Sequence, residues 1–359
     1  MTTAIDSSRR GPSIAELLAG AWRAGERPAR LHGQLEDLTT LLLESGAAAL
    51  AWSRIQTSTL HDSPAGALLK ETYRLHLLNA AVQQHGIGQV LRWFRSCEID
   101  PILVKGWAIA RLYPEPGLRP YGDIDLIIDP SDYTKARESL KGLKGSLCAV
   151  DLHNGPAKLD YFSFDELFAR SHTVPLGDVQ VRIPCPEDHL RILCTHLLQH
   201  GAWRPLWLCD IGAALESRPA DFEWDRCLGP DKRRADWVAC TIGLAHQLLG
   251  AEVEGTPVAE RARNLPRWLV RAVLRKWDTC APPYKVGLLV PSLLEGIKQP
   301  RKLVEALRTR WDNPIQATVN LGLPFNNLPR TPLQLIRALL HVPNVVGQAI
   351  RLVTPRQVP

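Results

Sequence analysis

Long apolar runs are missing from this 359-residue chain. No uncharged stretch reaches the ~18 residues that a spanning helix needs, so no transmembrane segment is expected. The first dozen residues, Met1 to Pro12, are polar and lack the apolar core of a secretory leader. The eight cysteines are scattered, with no Cys-x-x-Cys pair. That argues against a zinc ribbon or a dithiol redox motif, and for reduced, mostly buried thiols in a cytoplasmic protein. No internal repeat and no long low-complexity tract occurs, which sets aside solenoids and arrays. Acidic residues are scarce at one end: residues 261–359 hold 16 Lys+Arg against 4 Asp+Glu, a net +12. The whole chain is +6, so residues 1–260 carry −6.

What is present centres on residues 102–129, ILVKGWAIARLYPEPGLRPYGDIDLIID. Ile102-Leu103-Val104 has the length of a buried strand, and Lys105-Gly106 ends it. Trp107 to Tyr113 reads as a short helix; Pro114, Pro116, Gly117 and Pro120 then make an irregular loop. A second strand, Asp123-Ile124-Asp125-Leu126-Ile127-Ile128, follows. Period two places both carboxylates on one face and Ile124 on the other, towards a core. Two solvated acids at a strand end would give the same pattern. Side by side on an apolar strand, however, they repel unless a cation joins them. Mg²⁺, or Mn²⁺ in its place, is the expected one, since it takes hard oxygen ligands and leaves positions for substrate phosphate. The Lys105-Gly106 turn supports this. Glycine lets backbone N–H groups approach a phosphate at a helix start, Lys105 adds a point charge, and Arg119 can add a planar fork. A triphosphate cradle and carboxylates for its metals thus share one stretch.

These residues resemble a known family. Lys105-Gly106, Leu112-Tyr113-Pro114, Gly117-Leu118-Arg119-Pro120 and Gly122-Asp123-Ile124-Asp125-Leu126 look like the uncharacterised bacterial nucleotidyltransferase family of the polymerase-β-like superfamily. The chain departs from the superfamily at the turn, where Trp107 stands in place of Ser or Gly. The resemblance is densest over residues 100–155 and continues through Pro186 to Leu215. It implies an α+β fold: a mixed-sheet catalytic core over 99–185, a helical region over 1–98 and another over 186–359, basic from 261. It also implies a third strand acid. Leu147 to His153 reads as a strand, and Asp151 carries that role by resemblance, as metal ligand and base for the acceptor hydroxyl. His153 is read either as its partner or as an ordinary strand histidine. The expected catalytic and metal-binding set is therefore Asp123, Asp125 and Asp151. Lys105, Gly106 and Arg119 would hold the phosphates of an NTP donor, and the acceptor is open: peptide, small molecule or nucleic acid. Transfer from a nucleotide-sugar, or a non-catalytic binding protein on the same fold, are the rival readings.

Elsewhere, helices are expected around Ile14, Leu17 and Leu18, around Leu35 to Leu42, and over one long helix or two from Ala65 to Cys97, read as a packing cover. Residues 133–143 read as a helix. One or two strands are expected in 160–184, Val179 to Ile183 being the clearest. In a helix from Glu187 to Gly201, His189, His196 and His200 fall on one stripe. His196 and His200 lack the Glu of a zinc-protease motif. The family shows a similar helix with a later Trp-x-x-Asp, here Trp207-Leu208-Cys209-Asp210, and by that resemblance His196, His200 and Asp210 read as interface or nucleotide-side groups. In the basic region, Arg267-Trp268, Lys276-Trp277 and Arg310-Trp311 suit either stacking on bases or helix packing. Leu333 to Val353, interrupted by Pro343, reads as a docking segment.

Overall fold

The structure, a computed structural model, describes residues 10–25, 35–143, 148–156, 160, 162–279, 313–337 and 340. Arg310-Trp311 and, of the Leu333 to Val353 stretch, all but residues 333–337 and 340 lie outside these residues. The N-terminal leucine patterns form α1 (Arg10–Leu18), α2 (Leu35–Ser45) and α3 (Ala48–Ile55). Ser63 then caps α4 (Pro64–Ser96), accepting from the Gly66 N–H, with Pro64 at the first helical position, where its missing N–H costs nothing. This is one helix of 33 residues, not two.

Residues 102–154 build a three-stranded sheet: β1 (Ile102–Val104), β2 (Asp123–Ile128) and β3 (Ala149–Asn154), with β2 in the middle. β1 runs antiparallel to β2 and β3 parallel to it. The parallel return needs a crossover, and α6 (Tyr133–Gly142) lies in it. Alternation sorts the side chains as expected. Leu103, Ile124, Leu126 and Ile128 enter a core with Ile87, Val90, Leu91 and Phe94 of α4. Ile102, Val104 and Ile127 enter another, with Phe164, Leu167 and Ile192. Between β1 and β2, α5 (Gly106–Ala110) is shorter than the helix expected over 107–113.

Residues 160–184 hold two strands, as expected, and also a helix that the strand pattern did not announce. Phe164–Arg170 is a helix, α7, and only the hairpin β4 (His172–Leu176) and β5 (Val179–Ile183) is extended, as a separate two-stranded sheet. The reason is local. Ser163 and Glu166 form a reciprocal capping box, which satisfies two helix-start donors and nucleates α7.

The helical remainder comprises α8 (Pro186–Gln199), α9 (Pro205–Glu216), α10 (Trp224–Leu228), α11 (Lys232–Leu249), α12 (Ala259–Arg263), α13 (Arg267–Trp277) and α14 (Pro314–Asn320). Its apolar faces share one core with α1, α2, α3 and the start of α4, which meet around Leu17, Leu42, Leu197, Leu206 and Trp277. The basic region adds packing groups to it. Trp277 is fully buried and donates to the Ala202 carbonyl. Trp268 packs edge-on against Phe325 with Arg330 over its ring. In both pairs the structure selects helix packing over base stacking. Six of the seven described cysteines are buried. Among the described residues no helix is long and apolar enough to cross a membrane.

Candidate functional site

Strand register assembles the site. Asp125 pairs with Val104 on one side and Asp151 on the other. Lys105, the residue after Val104, therefore arrives at the same point as the two acids. It does so through a strained turn: Lys105 has φ 54° and ψ −140°, and Gly106 follows at φ 32°. A side chain at positive φ persists only where surroundings over-determine it, and such positions concentrate at functional sites. Lys105 Nζ stands 2.6 Å from Asp125 Oδ1. His153 lies two residues after Asp151, on the same face of β3, and its Nε2 is 2.9 Å from Asp125 Oδ1 and 3.7 Å from Asp151 Oδ2. Burial would raise the Asp125 pKa. The His153 hydrogen bond and the Lys105 charge outweigh it and hold the carboxyl below its ordinary range. The gradient of exposure matters as well: the Asp125 side chain is 8% exposed and that of Asp151 61%. One acid is fixed inside and the other meets solvent.

A cavity of about 560 Å³ opens over these groups. Its floor is Lys105, Gly106, Asp123, Asp125, Asp151 and His153. Its walls come from farther away: His76 and Asn79 of α4, His196 and His200 at the end of α8, and Arg204 and Trp207 at the start of α9. The α4 wall is one that sequence reasoning missed, because His76 and Asn79 sit in a helix whose pattern reads as packing. Asn79 and Gln83 also donate to the carbonyls of Tyr121 and Gly122, so α4 holds the loop that enters β2. Arg204 had no sequence signal either; its Nε donates to the Ser45 carbonyl at 2.5 Å, which fixes it at the rim. The rings of His196 and His200 pack on Trp207, with centroids 4.5 and 5.2 Å away. Burial, and then the charge of Lys105, lower the pKa of both histidines, so they face the cavity as neutral imidazoles near pH 7.

The other expected residues fall as follows. Asp123 lines the cavity at the exposed start of β2, but it stands outside the group whose donor atoms converge. Arg119 also lines the cavity, yet its fork is engaged: Nε and Nη2 donate to Asp210, and Nη1 to the Pro120 carbonyl. Tyr113 Oη donates to the same Asp210 carboxylate at 2.8 Å. Asp210 is thus the interface group that ties the loop before β2 to α9. His189 leaves the stripe shared with His196 and His200. It is buried, does not line the cavity, and its Nε2 has no hydrogen-bond partner among the described residues. Burial drives its pKa down to about 4 from 6.5. The unfolded chain then takes up that proton first as pH falls. The contribution is complete above about pH 6.5 and is lost on the way down to about pH 4, roughly 3 kcal/mol in all. Urea unfolding at pH 7 and about pH 4.5 should show this slope, and His189→Gln should flatten it. An unchanged slope in the variant would assign the loss to other groups.

The chemistry of the donor set fits a divalent cation. Asp125, Asp151 and His153 each offer one ligand atom, and these atoms lie within 4.8 Å of one another. Two carboxylates supply hard oxygen donors and charge neutralisation, and the open cavity leaves positions for substrate oxygens. No curated protein and no solved structure matches the chain. A family profile described as an uncharacterised nucleotidyltransferase matches residues 32–250, which takes in α2 to α11 and every cavity-lining residue named above. The mixed sheet with its acidic cluster and helical flanks agrees with that match, and the chain belongs to this uncharacterised nucleotidyltransferase family.

Proposed function

We propose that the protein transfers a nucleoside monophosphate from an NTP to an acceptor hydroxyl or phosphate, with Mg²⁺ or Mn²⁺ held by Asp125 and Asp151 and approached by Asp123. The observation that carries this is the register that sets Asp125 between Lys105 and Asp151 beneath an open cavity. A bound divalent ion would neutralise triphosphate charge and polarise the α-phosphate. The chain's own groups do the rest. Lys105 gives the phosphates a cation, and the Gly106 turn lets backbone approach them. α5 has only five residues, so its dipole is small and the attraction rests on Lys105. Arg119, held by Asp210, adds positive potential from the wall without offering its fork. Asp151, the exposed acid, accepts the acceptor's proton as its oxygen attacks the α-phosphorus. The bond to the β-phosphate breaks in line and pyrophosphate leaves.

The test is calorimetry with each of the four NTPs, with and without divalent metal, on the wild type and on Asp123→Ala/Asp125→Ala. Metal-dependent binding of one NTP, lost in the double variant, supports the reading and names the donor. Absence of binding to every NTP overturns it.

Lys105 gives a prediction of opposite signs. Its Nζ and a divalent ion compete for the same Asp125 oxygen. Lys105→Met should therefore tighten metal binding several-fold while weakening NTP binding by about tenfold, the loss of one charge-assisted contact. Both are read by calorimetry. Weakening of both would show that Lys105 supports the metal centre and does not compete with it.

A further inference from the structure

We propose that His153 is itself a ligand of the metal centre, and that its imidazole makes the site select a first-row transition ion, Mn²⁺, over Mg²⁺. The proposal rests on the metal-dependent reading above and names the ion of that same site. The first argument is distance. Ligands on adjacent positions of an octahedral ion with bonds of ~2.1 Å stand about 3.0 Å apart. His153 Nε2 lies 2.9 Å from Asp125 Oδ1 and 3.7 Å from Asp151 Oδ2, separations that let all three atoms share one ion. The second is placement. On β3, His153 pairs with Ile127 and Asp151 with Asp125. The ring therefore reaches back by two residue positions along the sheet to bring Nε2 to the acids. The third is chemistry. Mg²⁺ takes oxygen ligands almost exclusively, whereas first-row transition ions also bind nitrogen. Mn²⁺ otherwise shares the oxygen ligands of Mg²⁺, so an advantage over Mg²⁺ at two carboxylates and one imidazole comes from that nitrogen, and the set leaves open positions of the kind substrate oxygens need.

A simple hydrogen bond from His153 to Asp125 would give one of these distances and none of the selectivity. The experiment separates the two. Full-length protein is titrated with Mn²⁺, following the free ion by electron paramagnetic resonance, with Mg²⁺ as competitor. The bound ion is examined for coupling to ¹⁴N by electron spin-echo modulation. The same is done with His153→Ala. We expect Mn²⁺ to outcompete Mg²⁺ and to show directly coupled ¹⁴N. In the variant the coupling disappears and Mn²⁺ affinity falls by about 10–100-fold, while Mg²⁺ affinity changes little, which also reports a folded site. Mn²⁺ bound without ¹⁴N coupling, or with coupling that persists in His153→Ala and so comes from His196 or His200, overturns the ligand role and leaves the metal-dependent reading standing. Failure of both ions to bind, with and without a non-hydrolysable NTP analogue, overturns that reading as well.

Discussion

Asp125→Asn should lower metal affinity and metal-dependent NTP binding by at least about 100-fold, because outer-shell partners of metal ligands alone are worth 10–100-fold. The substitution keeps the side chain's shape and removes its charge. It removes a metal oxygen from the loaded site, and from the metal-free site the carboxylate that meets His153 Nε2 and balances the charge of Lys105. Loss of binding with an intact fold is the expected result, measured by calorimetry beside thermal unfolding. The variant should also change the acid limb of stability. Asp125 titrates below its ordinary range when folded, so its contribution is complete above the unfolded pKa near 4 and is lost as pH falls through the lower folded value. A variant that still binds NTP in a metal-dependent way at near wild-type strength would move the centre away from Asp125.

Asp210→Ala should be the most destabilising single change near the cavity. Asp210 is fully buried and accepts from Arg119 Nε at 3.1 Å, Arg119 Nη2 at 2.7 Å and Tyr113 Oη at 2.8 Å. Removing it strands a guanidinium that is only 7% exposed, and breaking a buried pair from one side costs about 3–5 kcal/mol. For a chain of this size that is a fall in melting temperature on the order of 4–7 °C. Tyr113→Phe, which removes one donor and leaves the ion pair, should cost only about 1 kcal/mol. Scanning calorimetry of the two variants orders them. Equal losses would show that the hydroxyl, and not the ion pair, holds the loop to α9.

The contrast between Asp125 and Arg119 shows what a sequence can and cannot disclose. Asp123-Ile124-Asp125 declares itself because period two is a local property: three residues fix a face, and Ile124 does lie in the core behind. The fate of Arg119 depends on a carboxylate 91 residues away, and no local pattern reports such pairing. Beside a metal motif its guanidinium looks free for phosphate. His76 and Asn79 were hidden for a related reason, since a polar residue on a long helix does not reveal what stands opposite it. For α7 the signal was present and passed over: Ser163 and Glu166 are spaced as a capping box, ahead of the two strands that the alternation over 160–184 does announce. His153 was visible but ambiguous. The neighbouring strand's register, which no single strand contains, is what brings Asp125 within its reach.

The long helix α4 has a mechanical consequence. Ala65 and Leu69 are anchored in the larger helical core, Ile87 to Phe94 in the core behind the sheet, and His76 and Asn79 line the cavity between. Over 33 residues it spans about 50 Å without a break, so it is a strut clamped at both ends. The width of the cavity is then a fixed length set by a stiff beam, not the opening of a jaw. A proline at mid-span would turn the strut into an elbow and let the two anchored ends drift, loosening the site without touching any residue on its floor.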